Sequence, residues 1–453
     1  MPILPIDTGR YGTQEMRKIF EEESRLQKIL DVEAAVAYAH SQVGNIPKEA
    51  AEEIMEKANI QHVKLEKCKE IDKKINHDLM AVVKSLTEIC SLSASRWIHF
   101  GLTSADVEDT AYALQFKEAL NIIRFRLIEL EKILIGLVEK YHSTLMVGRT
   151  HGQHVNVTTL GLKLAVWMRE ISRHLRRLNQ MEDRVVVGKV MGLIGTGAGL
   201  GKNAIEIQNI ALKKLGLKSA DMVTQVIQRD LHAELVSSLV LIASSLDKFA
   251  LEIRNLQRTE IMELMEPFKQ DSQVGSSAMP AKRNPVKSER ICSLAKLMRG
   301  LLIPAYENIA LWHERDLTNS ANERFLFSMC FILLDDMINS MSKILAGLVI
   351  FPENMKRNLA LTGGLNLSEN VVKILVERGM GRQEAHEIVR NCSMKSLTEK
   401  VPFSTVLMED EQISKLISQN EIENLLNNSK YLGVTSKLIK NALAVTKSEL
   451  ESN

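Results

Sequence analysis

Residues 120–141 read LNIIRFRLIELEKILIGLVEKY, and the spacing of their apolar positions sets the architecture. Leu120, Ile123, Leu127, Leu130, Leu134, Leu137 and Tyr141 step by three and four in turn. An α-helix turns once every ~3.6 residues, so these side chains form one apolar seam about six turns long. Leu160, Leu164, Trp167, Ile171, Leu175, Leu178, Met181 and Val185 trace a second seam, and Leu235, Leu239, Ile242, Leu246, Phe249, Ile253 and Leu256 a third. Ile291, Leu294, Leu297 and Leu301 begin a fourth, which Pro304 is expected to kink. A fifth runs from about residue 322 to 348 through Phe325, Met329, Ile332 and Met337. No proline falls between Pro47 and Pro267, and alternation of β-branched residues is scarce, so helix is the expected state of that whole region.

Seams of this length suit long helices packed at shallow angles. Ile122, Ile128, Ile133 and Val138 flank the first seam, and Leu241 and Ala250 flank the third. A helix that is apolar on more than one side must bury more than one side, and other copies of the chain are the simplest cover. The expected fold is all-α, with three helical domains: 1–106, a central long-helix bundle over 107–351 that forms the core of a homo-oligomer, and 352–453. A turn at Gly44–Pro47 interrupts the first part, and Phe351-Pro352 and Gly363-Gly364 mark the start of the last.

Bulk properties exclude several classes. The chain has 453 residues, 45% of them hydrophobic and 25% charged, as in an ordinary globular protein. A net charge of +2 gives no basic surplus for nucleic acid. Five scattered cysteines, with no CxxC spacing, suggest reduced thiols in a cytoplasmic protein, not a disulfide frame or a zinc site. The opening MPILPIDTGR has no apolar signal core. No uncharged apolar run approaches the ~18 residues a membrane helix needs.

Polar interruptions carry the chemistry. Residues 275–285 read GSSAMPAKRNP and pack Ser276, Ser277, Lys282, Arg283 and Asn284 among three helix breakers, between stretches that read as helix. Such a loop forgoes core contacts, and it suits presentation of a hydroxyl and a cation to a carboxylate-bearing substrate; a solvated surface loop is the alternative. Residues 148–161 read GRTHGQHVNVTTLG and place His151 and His154 just before the second seam, as a helix cap, core histidines or half a metal site. With no carboxylate nearby, zinc is not favoured. In WIHFGLTSADVED, residues 97–109, Thr103 or Ser104 reads as a helix cap with Asp106 in the first turn, and such an end also binds carboxylates. Asn76-His77-Asp78 reads first as a solvated helix face. WHERDLTNSANER, residues 312–324, offers Arg315, Ser320 and Arg324 at a turn and helix start, a set suited to a phosphate or to surface ion pairs. The six glycines of residues 188–201 fit neither G-x-x-x-x-G-K-[ST] nor G-x-G-x-x-G, and read as a flexible connection between helices.

Together these strings resemble the adenylosuccinate lyases, a family of the fumarase/aspartase superfamily. The 275–285 loop resembles the superfamily's signature. The family forms GRTHGxHAEPTT, HxGLTSxDVxDT and W-x-E-R-x-L-x-x-S-A-N-x-R, and an N-terminal RYxxxEM, are similar to the strings around His151, Ser104, Ser320 and Arg10-Tyr11. Val155, Asn156 and Val157 depart from the family pattern. The resemblance implies elimination of fumarate from succinylated purine nucleotides. It implies Ser276 as base, His151 as acid, His77 assisting, Lys282 stabilising negative charge and Glu289 orienting His151. It assigns substrate binding to Arg10, Tyr11, Asn76, Asp78, Thr103, Ser104, Gln225, Asn284, Arg290, Arg315, Ser320 and Arg324. It further implies a homotetramer with active sites shared between subunits, and no metal or organic cofactor.

Overall fold

The structure is a computed structural model that describes residues 4–268, 275 and 277–451. Ser276 therefore lies outside the described residues. The fold is all-α, and the sheets among the described residues are short and two-stranded. The expected seams lie on the helices Ser104–Tyr141, Leu160–Val185, Arg229–Leu256, Val286–Gly300 and Ser320–Ala346, except that Leu301 falls in the break after the fourth and residues 347–348 lie beyond the fifth. The second and third seams are buried at every position named for them. Near Pro304 the helix breaks outright, ending at Gly300 and resuming as Leu302–Glu307.

The default expectation of helix between Pro47 and Pro267 is corrected at residues 145–159. There Leu145–Thr150 and Gln153–Thr159 form an antiparallel hairpin. His151 and Gly152 make its turn with φ of 53° and 77°, the left-handed pair that a two-residue hairpin turn demands. Val157, Thr158 and Thr159 supply the β-branched side chains such a strand favours. Two seam positions are also corrected: Phe325 is 57% and Leu297 46% exposed, while Leu326, Phe327, Cys330 and Phe331 face the interior.

Two compact units divide the chain. The first comprises residues 1–128, 173–248 and 290–340, and the second 129–172, 249–289 and 341–453. In the first, Phe116 stacks edge-on to Phe327 at 4.8 Å, and Phe331 lies against Phe20 at 5.6 Å. Beside this aromatic core sits a buried ion-pair cluster. Arg229 Nη1 and Nη2 donate to Asp109 at 2.8 and 2.9 Å, and Nε and Nη2 donate to Glu323 at 2.9 and 3.2 Å. Burial alone would raise the Asp109 carboxyl, but the Arg229 guanidinium outweighs it and holds Asp109 below its ordinary value. In the second unit, Val371, Leu375, Val389, Phe403, Leu407 and Ile413 build a core among the short C-terminal helices. Val147 and Val157 of the hairpin pack with Leu359 and Leu367.

The Ser320–Ala346 helix is long and apolar enough, by composition, to cross a membrane. It carries Glu323, Asp335 and Asp336 and is mostly buried, as a core helix is. All five cysteines are free thiols.

Arg229→Met should destabilise the chain by about 3–5 kcal/mol in urea denaturation, because it leaves two buried carboxylates without their cation. Asp109 has a depressed folded pKa, so its contribution is present above the unfolded value and lost as pH falls through the folded one. The difference between wild type and variant should accordingly narrow in acid; a gap that holds constant down to acid unfolding counts against the ion pair.

Candidate active site

In the first unit, two long helices begin at one cavity. Ser104 opens the Ser104–Tyr141 helix, Ser320 opens the Ser320–Ala346 helix, and both line a cavity of about 690 Å³. Helix starts present free N–H groups and the positive end of the helix dipole, so the cavity is prepared for anions. Asn76, His77, Asp78, Thr103, Gln225, Arg315 and Arg324 line the same space. The structure thus gathers nine of the residues expected from sequence in one place.

Each is held by a local cause. Thr103 takes the position just before the Ser104–Tyr141 helix, where its N–H donates to Oδ2 of Asp106 in the first turn at 2.8 Å. The solvated-face reading of Asn76-His77-Asp78 is corrected. Asn76 ends the Leu65–Ile75 helix in the left-handed conformation, at φ 50° and ψ 47°. His77 then caps the Asp78–Ile89 helix, its ring accepting from Met80 N–H at 3.4 Å. The segment is a sharp junction between helices, which turns His77 and Asp78 toward the cavity.

The cations are paired within the chain. Arg324 donates to Asp78 at 2.6 Å, and Arg315 Nη1 donates to Gln225 Oε1 at 2.9 Å. Gln225 in turn donates to the Leu193 carbonyl at 2.8 Å, which fixes its amide. Burial would raise Asp78, but the hydrogen bond and charge of Arg324 bring it below its ordinary value. Sequence reasoning missed Glu108, which lines the cavity 3.7 Å from Arg315. Its signal was present, because position 108 lies one helical turn beyond Ser104 on the same face. Burial, reinforced by the Asp78 charge, pushes the Glu108 carboxyl above its ordinary value.

Arg10, Tyr11 and Arg290 gather elsewhere in the first unit. Arg290 lies over the Tyr11 ring at 4.5 Å and donates to the Arg10 carbonyl at 2.9 Å and to Asp336 at 2.6 Å. Asp336 and its neighbour Asp335 accept from the N–H groups of Gly12 and Thr13 at 3.2 and 2.7 Å. The segment from Arg10 to Thr13 is thereby tied down through its backbone.

The second unit carries the remaining candidates. His151 is exposed at the hairpin turn. The hairpin is anchored by Arg149, which donates to buried Glu263 at 3.0 and 2.6 Å, and Asn358 donates to the same carboxylate at 2.9 Å. His154 pairs across the hairpin with Arg149; burial and then the Arg149 charge lower its pKa and favour the neutral ring. Lys282 is exposed, and Asn284 donates to the Gly275 carbonyl at 3.1 Å, which closes the base of the signature loop. Glu289 lies exposed in the first turn of the Val286–Gly300 helix. Among the described residues no hydrogen bond joins it to His151, and no group of three or more His, Cys, Asp or Glu side chains could hold a metal ion.

Comparison with known proteins concerns the sequence and the fold of the whole chain. A family model described as a lyase matches residues 9–300, and one described as the adenylosuccinate lyase C-terminus matches residues 364–442. The chain is 50% identical to adenylosuccinate lyase of Pyrococcus abyssi over 443 residues, 98% of each protein. It is 45% identical to that of Methanocaldococcus jannaschii, over 99% of this chain and 97% of the relative. Among solved structures, a fumarate lyase from Mesorhizobium sp. BNC1 superposes with a TM-score of 0.89 at 28% identity, over 98% of this chain and 100% of that one. A 3-carboxy-cis,cis-muconate lactonizing enzyme from Pseudomonas putida also superposes at 0.89, with 30% identity and the same coverage. With two family models in register and half the residues shared along nearly the full length, the chain belongs to the adenylosuccinate lyase family of the fumarase/aspartase superfamily.

Proposed function

We propose that this chain cleaves a carbon–nitrogen bond in succinylated purine nucleotides and releases fumarate. Adenylosuccinate would give AMP, and succinyl-aminoimidazole carboxamide ribotide would give its free amide in purine biosynthesis. The observation that carries this reading is the cavity itself. Arg315, Arg324, Ser320 and Gln225 offer charge, hydroxyl and amide contacts to a nucleotide phosphate, while Thr103 and Ser104 offer a helix start to a carboxylate.

The chemistry explains the residue types. The proton to be removed lies beside a carboxylate, and its loss builds a second negative charge there. Fixed cations and donors must stabilise that dianion, a task suited to Lys282, Asn284, Thr103 and Ser104. The departing nitrogen must gain a proton, and His151, with His77 assisting, can supply it near neutral pH. Ser276 would take the carbon-bound proton, and Glu289 would orient His151. Arg10, Tyr11 and Arg290 would hold the nucleotide from the N-terminal side. The turn that carries His151 is strained at a non-glycine residue, which is common where geometry serves a site.

The working unit in this reading is a cytoplasmic homotetramer, each active site drawing on three subunits, with no metal or organic cofactor. The chain would divide into helical domains at 1–106, 107–351 and 352–453. Apolar side chains left on long helices support the assembly: Phe125 is 55%, Val166 54% and Leu251 49% exposed in the single chain.

An absorbance assay for fumarate should show turnover with both purine substrates and none with argininosuccinate, and the reverse preference sinks the assignment. Turnover should survive a chelator. Ser276→Ala and His151→Ala should each lower turnover by at least ~10²-fold, since each removes a group that acts in the transition state. Mixing these two variants under conditions of subunit exchange should restore part of the activity; no recovery after proven exchange contradicts shared sites.

A further inference from the structure

The glycine-rich segment after residue 187 matches no phosphate-binding motif, yet it hides a lysine. Lys189 is fully buried, and its ammonium donates to Asp106 Oδ1 and to the Gln225 carbonyl oxygen, each at 2.6 Å. Asp106, also fully buried, accepts in addition from Thr103 N–H at 2.8 Å, Met191 N–H at 2.9 Å and Gly192 N–H at 3.1 Å. The segment expected from sequence to be a flexible connection is pinned by these bonds. It also packs tightly against the strand of chain that bears Gln225: a Cβ placed on Gly195, where φ is 79°, would fall 2.4 Å from the Val223 carbonyl oxygen.

The consequence lies in what the two oxygens belong to. One side of the ammonium reaches the turn that presents Thr103 and Ser104. The other reaches the backbone carbonyl of Gln225, a residue whose side-chain Oε1 accepts from Arg315. Within the functional reading above, these are the carboxylate end and the nucleotide end of a single substrate. We infer that Lys189 is a positioning residue that fixes the distance between the two subsites, touching substrate itself at neither. One atom bonded to both parts can do this where two separate anchors would not. If either side moved away, the buried ammonium would be left underpaired in a low dielectric, so displacement of one side alone is penalised.

A merely structural lysine and a positioning lysine differ in what they disturb. The two reaction products divide the site between them: AMP carries the nucleotide without the dicarboxylate, and fumarate the dicarboxylate without the nucleotide. Their dissociation constants for the full assembled protein are to be measured by titration calorimetry in wild type, Lys189→Met, Ser104→Ala and Arg315→Ala. Ser104→Ala should weaken fumarate alone and Arg315→Ala AMP alone. Lys189→Met should weaken both, each by about tenfold, the effect of loosening one charge-assisted contact at each end. Retention of both wild-type affinities in folded Lys189→Met, or loss of only one, overturns the inference. Should Lys189→Met fail to fold, Lys189→Arg carries the test. Its broader head cannot place one nitrogen on both oxygens, so both affinities should fall by a smaller factor, and no change in either is again fatal. A wild type that binds neither product removes the functional reading and this inference with it. A wild type that binds both, beside variants that bind equally well, removes the inference alone.

Discussion

A buried guanidinium between two carboxylates is the constraint on which the site depends. Asp109 follows Ser104 by five positions and Glu323 follows Ser320 by three, so the Arg229 cluster lies about one turn inside the two helix starts that open on the cavity. Removing three charges from water is costly, and only mutual geometry repays it. That geometry ties the starts of the two helices to each other through Arg229. Their positive ends then face a shared space, and Ser104, Ser320 and Arg324 inherit fixed positions from it. Gln225 stands four residues before Arg229 and is held by the same neighbourhood.

Electrostatics at the cavity follows a consistent pattern. Each cation that faces the cavity rests against an acceptor of the chain, Arg324 against Asp78 and Arg315 against Gln225 with Glu108 beyond. Stored in this way, the guanidinium groups are oriented before any ligand arrives. Preorganised groups need not rearrange as charge develops, which is where fixed dipoles and charges gain over water. In the second unit the hairpin plays the corresponding part. The Arg149–Glu263–Asn358 anchor holds the hairpin next to its turn, and the left-handed conformation of that turn carries His151 at the tip.

Much of this was legible in the sequence. Leucine seams at helical spacing predicted the five helices of the central region, since burial of a continuous stripe is a strong and local signal, but not the 21-residue helix Glu22–Gln42. Phe325 and Leu297 misled because helices apolar on several sides do not declare which side faces inward. The 145–159 hairpin was missed because its strands are short and its turn, His-Gly, is less familiar than Asn-Gly. The family resemblance named the nine cavity residues, but not the reason His77 and Asp78 point as they do, which is the left-handed Asn76. Glu108 and Lys189 escaped for a further reason: their partners lie far away in sequence, and a lone charged residue in a helix or a glycine-rich run reads as solvent-facing.

The docking of residues 10–13 bears on how the protein can be handled. Asp335 is fully buried and Asp336 nearly so, and both spend hydrogen-bonding capacity on the amides of Thr13 and Gly12. Gly12 also sits so close to Ile332 that an added Cβ would meet it at 2.5 Å. Proteolytic trimming past Thr13 would strip two interior carboxylates of these donors and uncover part of the Ser320–Ala346 helix. Preparations nicked near the front should therefore be judged by mass before they are judged by rate.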